Sequence, residues 1–138
     1  MLNEIWLELG VYSFDDITHE ELSAILGLEP TRIMVKGQPK RNRPNAPIWK
    51  GNGWRYQATK DVFMPFEDQM NLLLDVIEQR KEVFHEISNR YECEISLALY
   101  IYTNTEESTP SVHFDQRYLQ VMAGLNVEFD IDIILLAE

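Results

Sequence analysis

An α+β fold, a ferredoxin-like antiparallel sheet built from two strand-helix-strand units with an inserted β-hairpin and long helix, follows from three features of the sequence. Glu94 to Thr103 alternates without a break: Ile95, Leu97, Leu99 and Ile101 on one face, Ser96, Ala98, Tyr100 and Tyr102 on the other. Phe66, Met70, Leu73, Ile77, Phe84, Ile87 and Tyr91 recur at the spacing of one helical face. A strand followed by a short stapled helix that ends in glycine, then a second strand, occurs twice. Interleaving the two units puts their first strands in the middle of the sheet and both short helices on one face.

The first strand is Ile5 to Ser13, with Ile5, Leu7, Leu9 and Val11 opposite Trp6, Glu8, Gly10 and Tyr12. Thr18 and Glu21 form a capping box at the next helix, and Ile17 staples onto Leu22. Gly27 supplies the left-handed closing residue and Pro30 forbids continuation. Thr31 to Lys36 is a short second strand, and Gly37 to Ala46, rich in proline and basic residues, reads as a loop. Ile48 to Ala58 predicts a hairpin: a two-residue Asn52-Gly53 turn pairs Gly51 with Trp54, Lys50 with Arg55 and Trp49 with Tyr56.

The amphipathic spacing predicts one helix over Phe66 to Tyr91. After the central strand, Asn104 to Ser111 is a polar loop, and Asp115 caps a last helix stapled by Phe114 and Leu119 and ended by Gly124. In the final strand, Glu128 to Leu136, Phe129, Ile131, Ile133 and Leu135 are expected in the core and Glu128, Asp130 and Asp132 outside it.

The length of 138 residues suits one domain spanning 1–138. Cys93 has no second cysteine to pair with, the first residues lack a signal-peptide pattern, and no apolar run approaches the roughly 20 residues that span a bilayer. A cytoplasmic protein without a membrane partner is expected.

Charge is unevenly distributed. Between Lys36 and Lys60 lie seven basic residues and no acid, which leaves all 23 acids against five bases elsewhere, a balance of −18 within a net charge of −11.

Two surfaces are candidates for function. On the sheet face opposite the helices, alternation gathers Trp6, Glu8, Tyr12, Tyr100, Tyr102, Asp130 and Asp132, and aromatics ringed by acids suit a protein partner or self-association. The basic segment 36–60, with Lys40, Arg41, Arg43, Trp49, Lys50, Trp54 and Arg55, offers stacking rings beside cations and would suit nucleic acid or an anionic ligand. The acidic body argues against the second reading, because it repels phosphates.

No catalytic residue, cofactor or metal is assigned. The row Glu128, Asp130, Asp132 has no glycine-kinked loop to supply further oxygens. Cys93 has no adjacent base, and Gly51-Asn52-Gly53 lacks the strand-to-helix setting of a dinucleotide site. An enzyme is unsupported.

Leu26-Gly27-Leu28-Glu29-Pro30-Thr31, then Gly37, a tryptophan at 49 or 54, and Gly124-Leu125 with Asp130-Ile131-Asp132-Ile133, resembles the bacterial family known as domain of unknown function 4279. The resemblance spans nearly the whole chain and implies a small stand-alone bacterial protein of this fold, with no catalytic residues to carry over. The basic loop from Lys40 to Pro47 is not among the matching motifs. The expected function is a non-enzymatic protein-binding module that masks a basic partner in the manner of an immunity protein.

Overall fold

The computed structural model describes residues 2–103 and 107–137; of the polar loop expected at 104–111, positions 104–106 lie outside the described residues. Nine elements follow in the order β1 (Glu4–Tyr12), α1 (His19–Leu26), β2 (Arg32–Met34), β3 (Gly53–Tyr56), α2 (Phe66–Glu78), α3 (Lys81–Arg90), β4 (Glu92–Tyr102), α4 (Gln116–Met122) and β5 (Val127–Leu136). The strands form one mostly antiparallel sheet in the order β2-β3-β1-β4-β5, in which only β4 and β5 run parallel.

As the alternation predicts, β1 and β4 lie side by side in the middle. They pair antiparallel from Glu4 opposite Tyr100 to Tyr12 opposite Glu92. Ile5, Leu7, Leu9, Val11, Cys93, Ile95, Leu97 and Leu99 are all buried, in one core with residues from all four helices: Leu22 and Leu26, Phe66 and Leu73, Phe84 and Ile87, and Val121. Burying such side chains contributes about 1.5–3 kcal/mol each, which makes this layer the main source of stability.

The two strand-helix-strand units sit beside each other and are not interleaved. β5 follows α4 directly onto β4 as a parallel neighbour, whereas β1 and β2 are held apart by β3, antiparallel to both. The segment expected as an insertion between the halves therefore completes the first half.

The 48–58 hairpin is the clearest departure. Trp54 pairs with Val11 and Ile33, and Arg55 with Gly10 and Arg32, not with Gly51 and Lys50. Asn52 makes no two-residue turn. Its carboxamide donates to the Phe14 carbonyl at 2.7 Å and accepts from the Lys36 amide at 3.0 Å, while its own carbonyl accepts from Ser13 at 2.8 Å. A side chain bonded to two segments distant in sequence outweighs the local turn preference of Asn-Gly. Residues 48–51 instead turn back on 37–40: Pro39 bridges Ile48, and the amides of Gly37 and Lys40 donate to the carbonyls of Trp49 and Pro47. The stretch expected as a plain loop is thus a narrow basic arm.

The helix expected over 66–91 is two helices. Gln79 closes α2, and Arg80 leaves helical geometry at φ −129°, ψ 27°. Its guanidinium donates to the carbonyls of Leu26 and Val76 at 2.8 and 3.2 Å, so the break fastens the end of α1 to α2. Neither glycine nor proline marks this position.

The caps agree with the sequence. Thr18 and Glu21 make both capping-box bonds, Gly27 closes α1 at φ 66°, and Asp115 accepts from the Tyr118 amide. The second staple does not form: Leu119 is exposed, and Phe114 packs on Phe66, Tyr118 and Phe129. Nor does the core extend along β5. Phe129 is covered by Phe114 and Tyr118, but Ile131, Ile133 and Leu135, expected inside, are 42, 63 and 65% exposed because no helix reaches them.

Candidate functional site: the open face of the sheet

Among the described residues all four helices contribute to the core on one side of the sheet, and none covers the opposite face. The registers bring Trp6 opposite Ala98, Glu8 opposite Ser96, and Ala98 opposite Asp132. There Trp6, Glu8, Arg32, Arg55, Gln57, Glu94, Ser96, Tyr100, Asp130 and Asp132 line a groove of about 470 Å³. Of the residues that alternation assigns to this face, Trp6, Glu8, Tyr100, Asp130 and Asp132 meet in the groove. Tyr12 lies in a neighbouring depression, and Tyr102 shares the face beyond the groove.

The electrostatic centre of the groove is Glu8, whose side chain is 12% exposed. One carboxylate oxygen faces Arg32 at 3.3 Å and Arg55 at 3.7 Å. Two cations around one nearly buried acid leave a local positive surplus, offset across the floor by Glu94, Asp130 and Asp132. Arg55 also lies over the Tyr12 ring, 5.5 Å from its centroid, and its Nε is buried with no hydrogen-bond partner among the described residues.

Gly10 makes that stacking possible. Tyr12 folds back across it so closely that a Cβ there would stand 2.2 Å from the phenol oxygen. Burial pushes the Tyr12 phenol up from its ordinary value, against the opposing pull of the Arg55 charge. Trp6 is anchored at one end, its indole N–H donating to Glu4 at 3.1 Å, and is 37% exposed.

The second depression, about 390 Å³, lies where the basic arm curls beside the sheet. Tyr12, Lys40, Trp49, Lys50, Glu92 and Glu94 line it, and it shares Arg55 and Glu94 with the groove. The basic set is thereby divided. Lys40 sits over the Trp49 ring at 5.0 Å, Arg41 and Arg43 form the tip of the arm, and Arg55 is held by Glu8 on the acidic face. Trp54 cannot stack on a ligand: it is fully buried, donating to the Ser23 hydroxyl at 3.0 Å and stacked on Tyr56.

Arg32, Glu94 and Ser96 belong to the groove although sequence reasoning passed over them. Glu94 and Ser96 share the parity of Tyr100 and were within reach of the same alternation. Arg32 needed the sheet order, which no local pattern encodes.

The only thiol, Cys93, is buried on the core side, and burial with the nearby Glu92 charge pushes it up to about 12, so it is inert as a nucleophile. Among the described residues no group of three or more His, Cys, Asp and Glu is arranged to hold a metal ion, and no helix is long and apolar enough to cross a membrane.

A family profile described as Domain of unknown function (DUF4279) matches residues 3–136, from the start of β1 to the end of β5. The chain belongs to the DUF4279 family. No curated protein and no solved structure matches it. In this DUF4279 chain the profile takes in the groove, the basic arm and both edges of the sheet.

Proposed function

We propose that this chain is a non-enzymatic protein-binding module whose open sheet face receives a basic segment of a partner protein, masking it as an immunity protein masks a toxin. The observation that carries the reading is the helix-free face, where Trp6 and Tyr100 share one groove with Glu94, Asp130 and Asp132. Aromatic rings bury large area at little cost in entropy, and the surrounding carboxylates draw a cationic partner in quickly and reject acidic ones. A net charge of −11 extends that field beyond the groove. In this reading the chain acts in a bacterial cytoplasm, where a lone reduced thiol is ordinary.

The rival reading, an anionic ligand or single-stranded nucleic acid held by the basic arm, draws on Lys40, Arg41, Arg43, Lys50 and Trp49. It has lost Trp54 to the core and Arg55 to Glu8.

The two separate in one titration of the 15N-labelled chain. A lysine- and arginine-rich peptide should shift the amides of β1, β4 and β5 around the groove. Trp6→Ala with Tyr100→Ala, or Asp130→Asn with Asp132→Asn, should weaken binding at least about tenfold while leaving the fold intact. A single-stranded oligonucleotide should leave the spectrum unchanged. Shifts confined to residues 38–50 with the oligonucleotide, and none on the open face with the peptide, would overturn the proposal in favour of its rival.

A further inference from the structure

The two edges of the sheet differ. β2 has three residues and an arginine in its pairing register, the kind of short charged edge that resists further pairing. β5 has ten residues, pairs with β4 one-to-one from Val127 to Leu136 without a bulge, and contains neither lysine nor proline. Among the described residues no strand pairs with its outer side. The Leu136 carbonyl accepts from the Thr103 amide at 2.9 Å and so faces β4; by the alternation of a strand, Leu135, Ile133 and Ile131 direct their N–H and C=O groups away from the sheet. These same three residues carry the bare apolar side chains beyond the cover of Phe114 and Tyr118.

We propose that the outer edge of β5 pairs antiparallel with β5 of a second copy of this chain, about a two-fold axis at Ile133, to form one ten-stranded sheet. The charge pattern of the strand favours a second copy as occupant and excludes the registers whose axis moves towards Asp132. The acids of β5 end at Asp132 and Ile133 to Leu136 are all apolar, so an antiparallel copy brings the acid-bearing stretch against the apolar one. Centred on Ile133, Ile131 faces Leu135, Asp132 faces Ile134 and Asp130 faces Leu136. Shifting the axis to Asp132 sets that aspartate against itself, and shifting it to Ile131 sets Asp130 against Asp132, both destabilising. In the Ile133 register the facing residues Ile131, Ile133 and Leu135 are those whose backbone groups point outward, so hydrogen bonds and apolar contact form together. Each chain has one such edge, and the assembly closes at two.

Sedimentation equilibrium of the full chain should give twice the 16.2 kDa of one copy, with tighter association as salt screens the repulsion between two chains of net charge −11. Ile133→Lys, which sets two lysines face to face, should yield a monomer at concentrations where the wild type is dimeric. Ile133→Pro should do the same, because it removes only an outward N–H. Circular dichroism should show both variants folded, since Ile133 is 63% exposed. Facing Cα atoms lie about 5.5 Å apart in such a pair, within the roughly 4.4–6.8 Å that a disulfide spans. Ile133→Cys should therefore oxidise to a covalent dimer and Leu135→Cys should not, with buried Cys93 spared. A wild-type monomer at every concentration and salt, a dimer that survives Ile133→Lys, or equal cross-linking at 133 and 135 would overturn the proposal. None of these results bears on peptide binding by the open face, so the two proposals fail separately.

Discussion

The two strand-helix-strand halves share a local grammar and differ in what holds them. In the first, Leu22 and Leu26 of α1 are buried and β3 wedges between β1 and β2, with Trp54 filling the space beneath. In the second, α4 buries only Val121, and β5 lies directly on β4 with its outer half bare on the helix side. Caps and glycines set where the elements begin and end in both halves alike. The segment between the halves then decides which of them acquires a finished core.

The sharpest way to break that contrast is to truncate one apolar side chain in each half. Trp54→Ala removes a fully buried ring and its bond to Ser23, and should cost about 3–5 kcal/mol in urea denaturation. Leu135→Ala, at a position 65% exposed in the single chain, should cost the monomer under about 0.5 kcal/mol. Equal costs would mean that β5 is as well packed as β3 and would erase the distinction. Removing the caps sharpens it further. Thr18→Ala loses a reciprocal pair of bonds on an eight-residue helix and should cost about 1 kcal/mol, while Asp115→Ala on the seven-residue α4 should cost about half that.

The smallest effect is a pH dependence where the first half meets the end of α3. Asp16 accepts from the Tyr91 hydroxyl at 2.6 Å and from Arg90 at 2.9 Å, and these bonds, the tyrosine's first, hold its carboxyl below the ordinary 3.8. A depressed acid stabilises the fold above its unfolded pKa, and the contribution disappears as pH falls through the folded value. Wild type and Asp16→Asn should therefore differ in thermal midpoint near neutrality and converge in acid. A gap that persists undiminished in acid would show that the contact acts without its charge.

What was legible in the sequence follows the range of the forces involved. Alternation placed Ile5 to Val11 and Ile95 to Leu99 in the core and Trp6, Glu8 and Tyr100 on the far face, because strand parity is local. Thr18, Gly27 and Asp115 were readable for the same reason. The partners of Trp54 were not, since Asn52 is fixed by Phe14 and Lys36, residues distant in sequence. The break at Arg80 was hidden too, since its cause is the carbonyl of Leu26, which the helix pattern itself does not contain. Ile131, Ile133 and Leu135 were misplaced because an apolar strand face looks the same whether or not a helix is long enough to reach it.

The order of the strands also sets how the sheet bears force. Glu4 lies opposite Tyr100 and Leu136 opposite Tyr102, so β1 begins and β5 finishes at the same end of the sheet, on either side of β4 and two interstrand spacings apart, about 10 Å. Force applied to both would peel each strand from β4 rung by rung instead of shearing whole ladders. On the β1 side, the first resistance would come from Asn3, whose carboxamide accepts from the Tyr102 amide at 2.8 Å.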